Sequence, residues 1–215
     1  MRFTLKHLGV GLFAVLVITL VLGAHFGFTW AGGNGYMPTF AITTLEEQGD
    51  VVATPDGAAR RGSVVTTGKD ARMLFQIDDA LVALYEDTTV EFKTLSGEIE
   101  IVVQKGRVAV SSGTQKDRPL VVSAGPIQTI TFGGTFSLVH YDFQQRVSVI
   151  PLSGPVGVNI ADESGQVIMN PIDISTVPPY EVTDTTFTPA GSAAENFYAW
   201  FQAKVDQPSS DLLQP

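Results

Sequence analysis

Histidines and paired acids are the residues in this 215-residue chain most able to do chemistry. There are three histidines, His7, His25 and His140, and no cysteine. A chain without thiols has no disulfide, no thiolate metal site and no cysteine nucleophile. His7 and His25 fall in the N-terminal 28 residues, which leaves His140 alone in the remainder, too few for a histidine-rich metal centre. His140 stands between Val139 and Tyr141 in strand-like sequence, where a core or surface imidazole is the plainer reading than a general base. No Gly-x-Ser-x-Gly elbow presents a serine nucleophile. Gly62 to Lys69 approximates a phosphate loop, but its glycines stand one residue too far apart. Asp70 also occupies the place of the magnesium-binding hydroxyl.

Two acidic pairs remain, Asp78-Asp79 and Glu86-Asp87. Such pairs could serve a glycosidase or a weak Ca²⁺ site. Both sit between strand-like runs, where acids form local turn hydrogen bonds, and that reading is preferred. The expectation is therefore a chain with no catalytic residue, no cofactor and no metal.

The elements that would position these residues begin with a membrane-type segment. Residues 1–7 carry Arg2 and Lys6 and no acid, and Leu8 to Phe28 contains no Asp, Glu, Lys or Arg. As a helix this stretch rises about 31 Å, enough for a hydrocarbon core of about 30 Å. Basic residues ahead of the span and acidic sequence behind it place residues 1–7 in the cytoplasm. The expected topology is a cytoplasmic stub 1–7, a single-pass anchor 8–28 in the cytoplasmic membrane, and everything later on the periplasmic or extracellular side. A cleaved secretory signal is the competing reading, with Gly23-Ala24 or Ala31 as cleavage points.

The whole chain carries 13 basic and 22 acidic residues, a net charge of -9. Residues 1–28 hold two of the basic groups and no acid, so the exported part has a net charge of -11. That surface is unsuited to nucleic acid, which requires concentrated Lys and Arg.

Residues 29–40 read as a flexible linker. From 41 to 169 the sequence is a succession of short runs rich in Val, Ile, Phe and Thr, separated by Gly, Asp, Asn and Pro. No helix-length periodicity interrupts them, so the segment reads as all-β. The gaps are too short for βαβ crossovers. An antiparallel sandwich and a solenoid-like coil of short stacked strands both fit, and glycines recurring at strand entries lean toward the coil. Residues 170–191 are rich in Pro and Thr and read as an extended strap. Ser192-Ala193-Ala194-Glu195 has capping-box spacing and opens a short amphipathic helix over 192–207, with a tail at 208–215. Phe197, Trp200 and Phe201 share one face of it. They either cap the β domain or form a partner-docking surface.

Gly62–Gly68, Gly106–Val110, Gly134–Phe136 and Gly154–Val158 are glycine-led strands whose order and spacing resemble a FecR-type domain, a module on the outer side of the cytoplasmic membrane. Gly62-Ser63-Val64-Val65-Thr66-Thr67-Gly68 resembles that family's opening Gly-Asp-x-ϕ-x-Thr-Gly, and Gly106-Arg107-Val108-Ala109-Val110 its middle Gly-x-ϕ-x-ϕ. Gly134-Thr135-Phe136 and Gly154-Pro155-Val156-Gly157-Val158 resemble its closing strands. Ser63 replaces an Asp, Asp78-Asp79-Ala80 replaces an Asp-Gly-Ser turn, and Gly134-Thr135-Phe136 lacks one intervening residue. The resemblance implies a solenoid-like, non-enzymatic β coil in which Gly62, Thr67, Gly68, Gly106, Gly134, Thr135, Phe136 and Gly154 are structural.

Signalling members of that family carry a sizeable anti-sigma region in the cytoplasm. Seven residues cannot fold such a domain, so iron-responsive control is not expected to carry over. The function expected is a membrane-anchored, non-catalytic bacterial envelope module for protein binding, assembly or sensing. A cell-wall or surface-glycan-binding module is one alternative, and signalling with a sigma-factor system through a separate partner is another. A hydrolase using the acidic pairs is least favoured.

Overall fold

The computed structural model describes residues 42–52, 62–77, 79–94, 99–112, 120–131, 133–161 and 165–207. The segments 1–7, 8–28, 29–40 and 208–215, together with Asp78, lie outside these residues. Among the described residues no helix is long and apolar enough to cross a membrane.

The strands follow in chain order as β1 (Ile42–Gln48), β2 (Val51–Val52), β3 (Ser63–Thr67), β4 (Arg72–Ile77), β5 (Ala80–Leu84), β6 (Thr89–Thr94), β7 (Ile99–Ser112) and β8 (Leu120–Ala124). They continue as β9 (Ile127–Thr131), β10 (Gly134–Tyr141), β11 (Arg146–Ser153), β12 (Val156–Ile160), β13 (Gln166–Ile168), β14 (Ile172–Ser175) and β15 (Val182–Asp184). A 3-10 turn, Asp142–Gln144, joins β10 to β11, and one α-helix among the described residues, α1 (Glu195–Val205), follows the strands.

All fifteen strands belong to one continuous sheet folded over along β7. The N-terminal half of β7 lies between β6 and β8, in the ladder β2-β3-β6-β7-β8-β9-β12-β13. Its C-terminal half lies between β5 and β10, in the ladder β1-β4-β5-β7-β10-β11-β14-β15. The inner faces of the two halves meet in one core. Phe75, Val82, Val108, Phe136, Leu138 and Val149 come from one side, and Phe92, Ile101, Val122, Ile127, Val156 and Val158 from the other.

The fold in β7 shows in its side-chain parity. Ile101 and Val103 point inward in the first half, Val108 and Val110 in the second, so the alternation shifts from odd to even. A bulge absorbs the shift: Thr89 pairs with Lys105 but Val90 pairs with Val103, which leaves Gln104 without a partner in the ladder. Gly106 follows with φ +102°, and a Cβ there would collide with the side chain and Cα of Thr88. Only glycine tolerates both the dihedral and the approach.

The all-β class read from the sequence holds for the described residues between 42 and 184, and the internal geometry refines it. Among the described strands every pairing is antiparallel except β7–β8, whereas coils stacked as a solenoid pair in parallel. The recurrent glycines mark corners of a folded antiparallel sheet. The expected strap at 170–191 also contributes β14 and β15, because Ile172 and Ile174 alternate inward and pair with β11. The helix begins at Glu195, three residues after the expected start. The Ser192 hydroxyl donates to the Pro189 carbonyl (2.7 Å) and forms no capping bond to the helix, while Glu195 accepts from Gly191 N–H (2.9 Å).

Two glycine substitutions separate the causes of the corner. Gly62→Ala meets an adverse φ of +83° in open space and should cost about 1 kcal/mol. Gly106→Ala meets the adverse dihedral and Thr88 together and should cost about 3 kcal/mol or more. Urea unfolding of both variants measures the difference, and equal losses would refute the steric account.

Candidate functional site

The motif glycines and threonines gather at two corners. At the first, the Thr67 hydroxyl donates to the Tyr85 carbonyl and accepts from Thr88 N–H (3.0 Å). Gly68 N–H donates to Asp50 O (2.7 Å), and Gly68 O accepts from Asp87 N–H (3.1 Å). Thr88 is fully buried, and its hydroxyl accepts Arg107 N–H (3.0 Å) directly beside Gly106. Thr67 and Gly106 are thus joined through Thr88. The second corner lies at the far end of the β7–β10 ladder, where Gly134 packs on the Ser153 carbonyl and Gly154 approaches Gly133 O and Gly134 Cα. There Thr135 bonds Ser111 (3.2 Å) and Phe136 is wholly buried. Gly62 N–H donates to Phe92 O (2.7 Å) at the mouth of β3. These residues shape the sheet and present no reactive group.

The outer face of the β4-β5-β7-β10 region is different. All five residues of β5, Ala-Leu-Val-Ala-Leu, are buried, so a strand apolar on both faces needs a cover on each. Helix α1 is the outer cover. Ala194, Phe197, Tyr198 and Phe201 pack on Leu74, Leu81, Ala83 and Ala109. Phe197 and Phe201, two of the three residues of the candidate docking face, are 2% and 1% exposed and spent on the chain's own sheet. Their apolar area is already covered, so they leave no face free for a partner.

Trp200, the third, is half-buried in an electrostatic clasp. The Arg72 guanidinium lies 4.4 Å from its ring centroid, and its indole N–H donates to Glu46 Oε1 (3.1 Å). Lys204 Nζ meets Glu46 Oε2 at 2.8 Å, and Arg72 meets Oε1 at 3.4 Å. Partial burial by itself would raise the Glu46 carboxyl. The Lys204 ammonium, the Trp200 N–H and the Arg72 charge outweigh it and hold the group below its usual value. This clasp ties the edge strand β1 to the helix.

Beyond the clasp, on the same outer face, lies a cluster of tyrosines around Arg107. Its guanidinium sits 5.7 Å from the Tyr85 ring centroid and 5.4 Å from that of Tyr198. One amino group donates to the Tyr198 hydroxyl (3.2 Å), which itself donates to Ser137 Oγ (3.0 Å). Burial raises the Tyr198 phenol above its ordinary value, with Arg107 opposing. Burial raises Tyr85 as well, with the neighbouring Glu86 carboxylate adding to it. Both phenols therefore keep their protons and serve as donors near neutral pH. The Tyr85 hydroxyl also meets the Ala193 carbonyl (3.2 Å). Tyr141 and Phe143 stack at the rim with centroids 5.6 Å apart, and Phe143 is 81% exposed. On the other flank of the helix a cavity of about 320 Å³ opens between Leu152, Pro189, Glu195, Tyr198 and Gln202.

His140 is buried. Its Nδ1 faces the Val103 carbonyl (3.2 Å), which can only accept, so Nδ1 carries the proton, and Nε2 lies 3.4 Å from Asp142 Oδ1. No serine or threonine hydroxyl bonds this imidazole among the described residues. Glu86 accepts the Asp70 N–H (3.0 Å) and Asp87 has φ +51°, so this acidic pair does turn work. Asp79 lies in the β4–β5 turn. Among the described residues no three His, Asp or Glu side chains come together to hold a metal. The tyrosine–arginine cluster escaped sequence reading because Tyr85, Arg107, Tyr141 and Tyr198 come from four separate segments. The one local signal was an arginine directly after the corner glycine.

In solution, Glu46→Gln should lower stability by about 1 kcal/mol near pH 7, the scale of a small, partly exposed ion network. Because the folded carboxyl is held below its usual 4.5, its contribution is present above that value. It disappears as pH falls through the lower folded value. Urea midpoints of wild type and variant should therefore converge in acid; a constant gap would exclude this charge as the cause.

No family model matches the sequence, and no curated protein matches it. Among solved structures, two crystal structures of a candidate anti-sigma factor from Parabacteroides distasonis share the fold. Each has a TM-score of 0.52, with sequence identities of 16% and 17%. In each case the match covers 65% of this chain and 64% of the other protein, so the chain spans less than two thirds of that protein's length. What the chain has in common with that protein is its folded β architecture.

Proposed function

We propose that this chain is a non-catalytic bacterial envelope module of FecR type, anchored by residues 8–28, that senses or relays a signal by binding a partner protein. The observation that carries the reading is the fold shared with the Parabacteroides distasonis protein, which is described as a candidate anti-sigma factor. The glycine-led corners that resemble FecR-type sequences support it, as does the basic-then-apolar N-terminal pattern. In this reading the β domain sits outside the cytoplasmic membrane and acts on a sigma-factor system through that partner.

A glycan-binding role would be served by a row of aromatic side chains along an exposed sheet face. Among the described residues Phe143, in a turn, is the exposed aromatic, and the other rings are buried or half-buried. Protein binding is therefore preferred over the glycan alternative.

Deleting the gene in its host and profiling transcripts tests signalling. A coherent set of genes under one sigma factor should shift at least about threefold. Photo-crosslinkers placed on the full-length protein in cells test partner binding separately, and a discrete cross-linked protein is expected. An unchanged profile would remove the signalling role, and absence of any cross-linked protein would remove the binding role.

A further inference from the structure

We propose that the Arg107 cluster is a docking site for a carboxylate carried by a peptide segment of a partner protein. The inference rests on the protein-binding reading above and gives it a place and a chemistry.

Arg107 is an arginine with donors to spare. A guanidinium carries five N–H groups in a planar fork. One amino group reaches the Tyr198 hydroxyl, and Nε is buried with no hydrogen-bond partner. Among the described residues Arg72 pairs with Glu46 and Arg146 with Asp173, both within 4 Å, while Arg107 pairs with no carboxylate. Glu86, the acid beside Tyr85, accepts the Asp70 amide (3.0 Å). Asp142 Oδ1 lies 3.4 Å from His140 Nε2.

The fork is also held still. The Arg107 backbone N–H is fixed by Thr88 and its carbonyl by Tyr85 N–H (3.0 Å), one amino group is held by the Tyr198 hydroxyl, and the guanidinium carbon lies 5.7 and 5.4 Å from the Tyr85 and Tyr198 ring centroids. A guanidinium fixed before binding gives up little rotamer entropy when it takes a carboxylate. Around it stand Tyr85, Tyr141 and the exposed Phe143, and Tyr and Arg are the types that concentrate binding energy at protein interfaces.

Charge selects the ligand class. A lone guanidinium on a chain of net charge -9 repels a polyanion but matches a single carboxylate. The fitting segment has one acidic side chain flanked by apolar or aromatic residues, which pack on Tyr141 and Phe143.

The full-length protein in detergent is titrated with a fluorescent heptapeptide carrying one glutamate between two phenylalanines, and with its glutamine twin. The glutamate peptide should bind about tenfold more tightly, the scale of one charge-assisted bidentate bond. Arg107→Gln should abolish the preference, and Phe143→Ala should weaken both peptides alike. Twins that bind equally, or no binding of either, overturn the proposal without recourse to a variant that misfolds. Competition with sodium acetate and inorganic phosphate identifies the anion. If phosphate displaces the glutamate peptide more strongly than acetate, the site takes phosphoryl groups and the carboxylate assignment fails. A cross-linked partner in cells alongside twins of equal affinity would leave the protein-binding reading standing and refute only this site.

Discussion

The two halves of this protein's folded sheet share one strand, and the bend in that strand governs the rest of the architecture. β7 can serve both ladders only if its inward parity changes midway, which the bulge at Gln104 and the left-handed Gly106 accomplish. A bend leaves backbone groups without ladder partners, and a buried unpaired N–H is costly. The Thr88 hydroxyl answers that need by accepting Arg107 N–H, while Thr67 secures the neighbouring turn. Glycine and threonine occur here because one must fit against the other.

The same bend creates the chemistry of the outer face. It directs Ala109 toward the helix and places Arg107 one step beyond the helix-covered rows, where Tyr85 and Tyr198 enclose it. The helix then does two jobs. Phe197 and Phe201 cover the apolar outer side of β4, β5 and β7, each stabilising the domain by roughly 2–3 kcal/mol of transfer free energy. Tyr198 meanwhile supplies one wall of the arginine's enclosure. A face built by a helix clasped through Glu46 to β1 is rigid, which is what recognition by a few fixed groups requires.

Some of this was legible in the residues and some was not. The β class could be read because runs such as Val147-Ser148-Val149 or Val156-Gly157-Val158 alternate with period two, and that period survives folding. The positions of the corner glycines were equally plain. Their meaning was not, because glycine at a strand entry fits a solenoid turn and a sheet fold alike. The pairing partner decides between them. Ser192 and Glu195 have the spacing of a capping box, yet the Pro189 carbonyl and the Gly191 amide compete for the same side chains at close range. The aromatic stripe of α1 could be read as apolar, but its destination depended on β5 being buried on both faces, a property of the assembled sheet.

By itself the sequence determined an acidic, cysteine-free chain with an apolar N-terminal segment, a strand-dense body punctuated by glycine and one late amphipathic helix. These follow from composition and short-range periodicity, which are local properties of the chain. Tertiary structure alone decided that the strands form one sheet folded along β7, that Phe197 and Phe201 face inward, and that Arg107 stands among tyrosines without a carboxylate partner among the described residues. Each of these depends on which distant segments become neighbours. The cluster joins Tyr85, Arg107, Tyr141 and Tyr198 across more than a hundred positions of sequence, a distance that no local pattern spans.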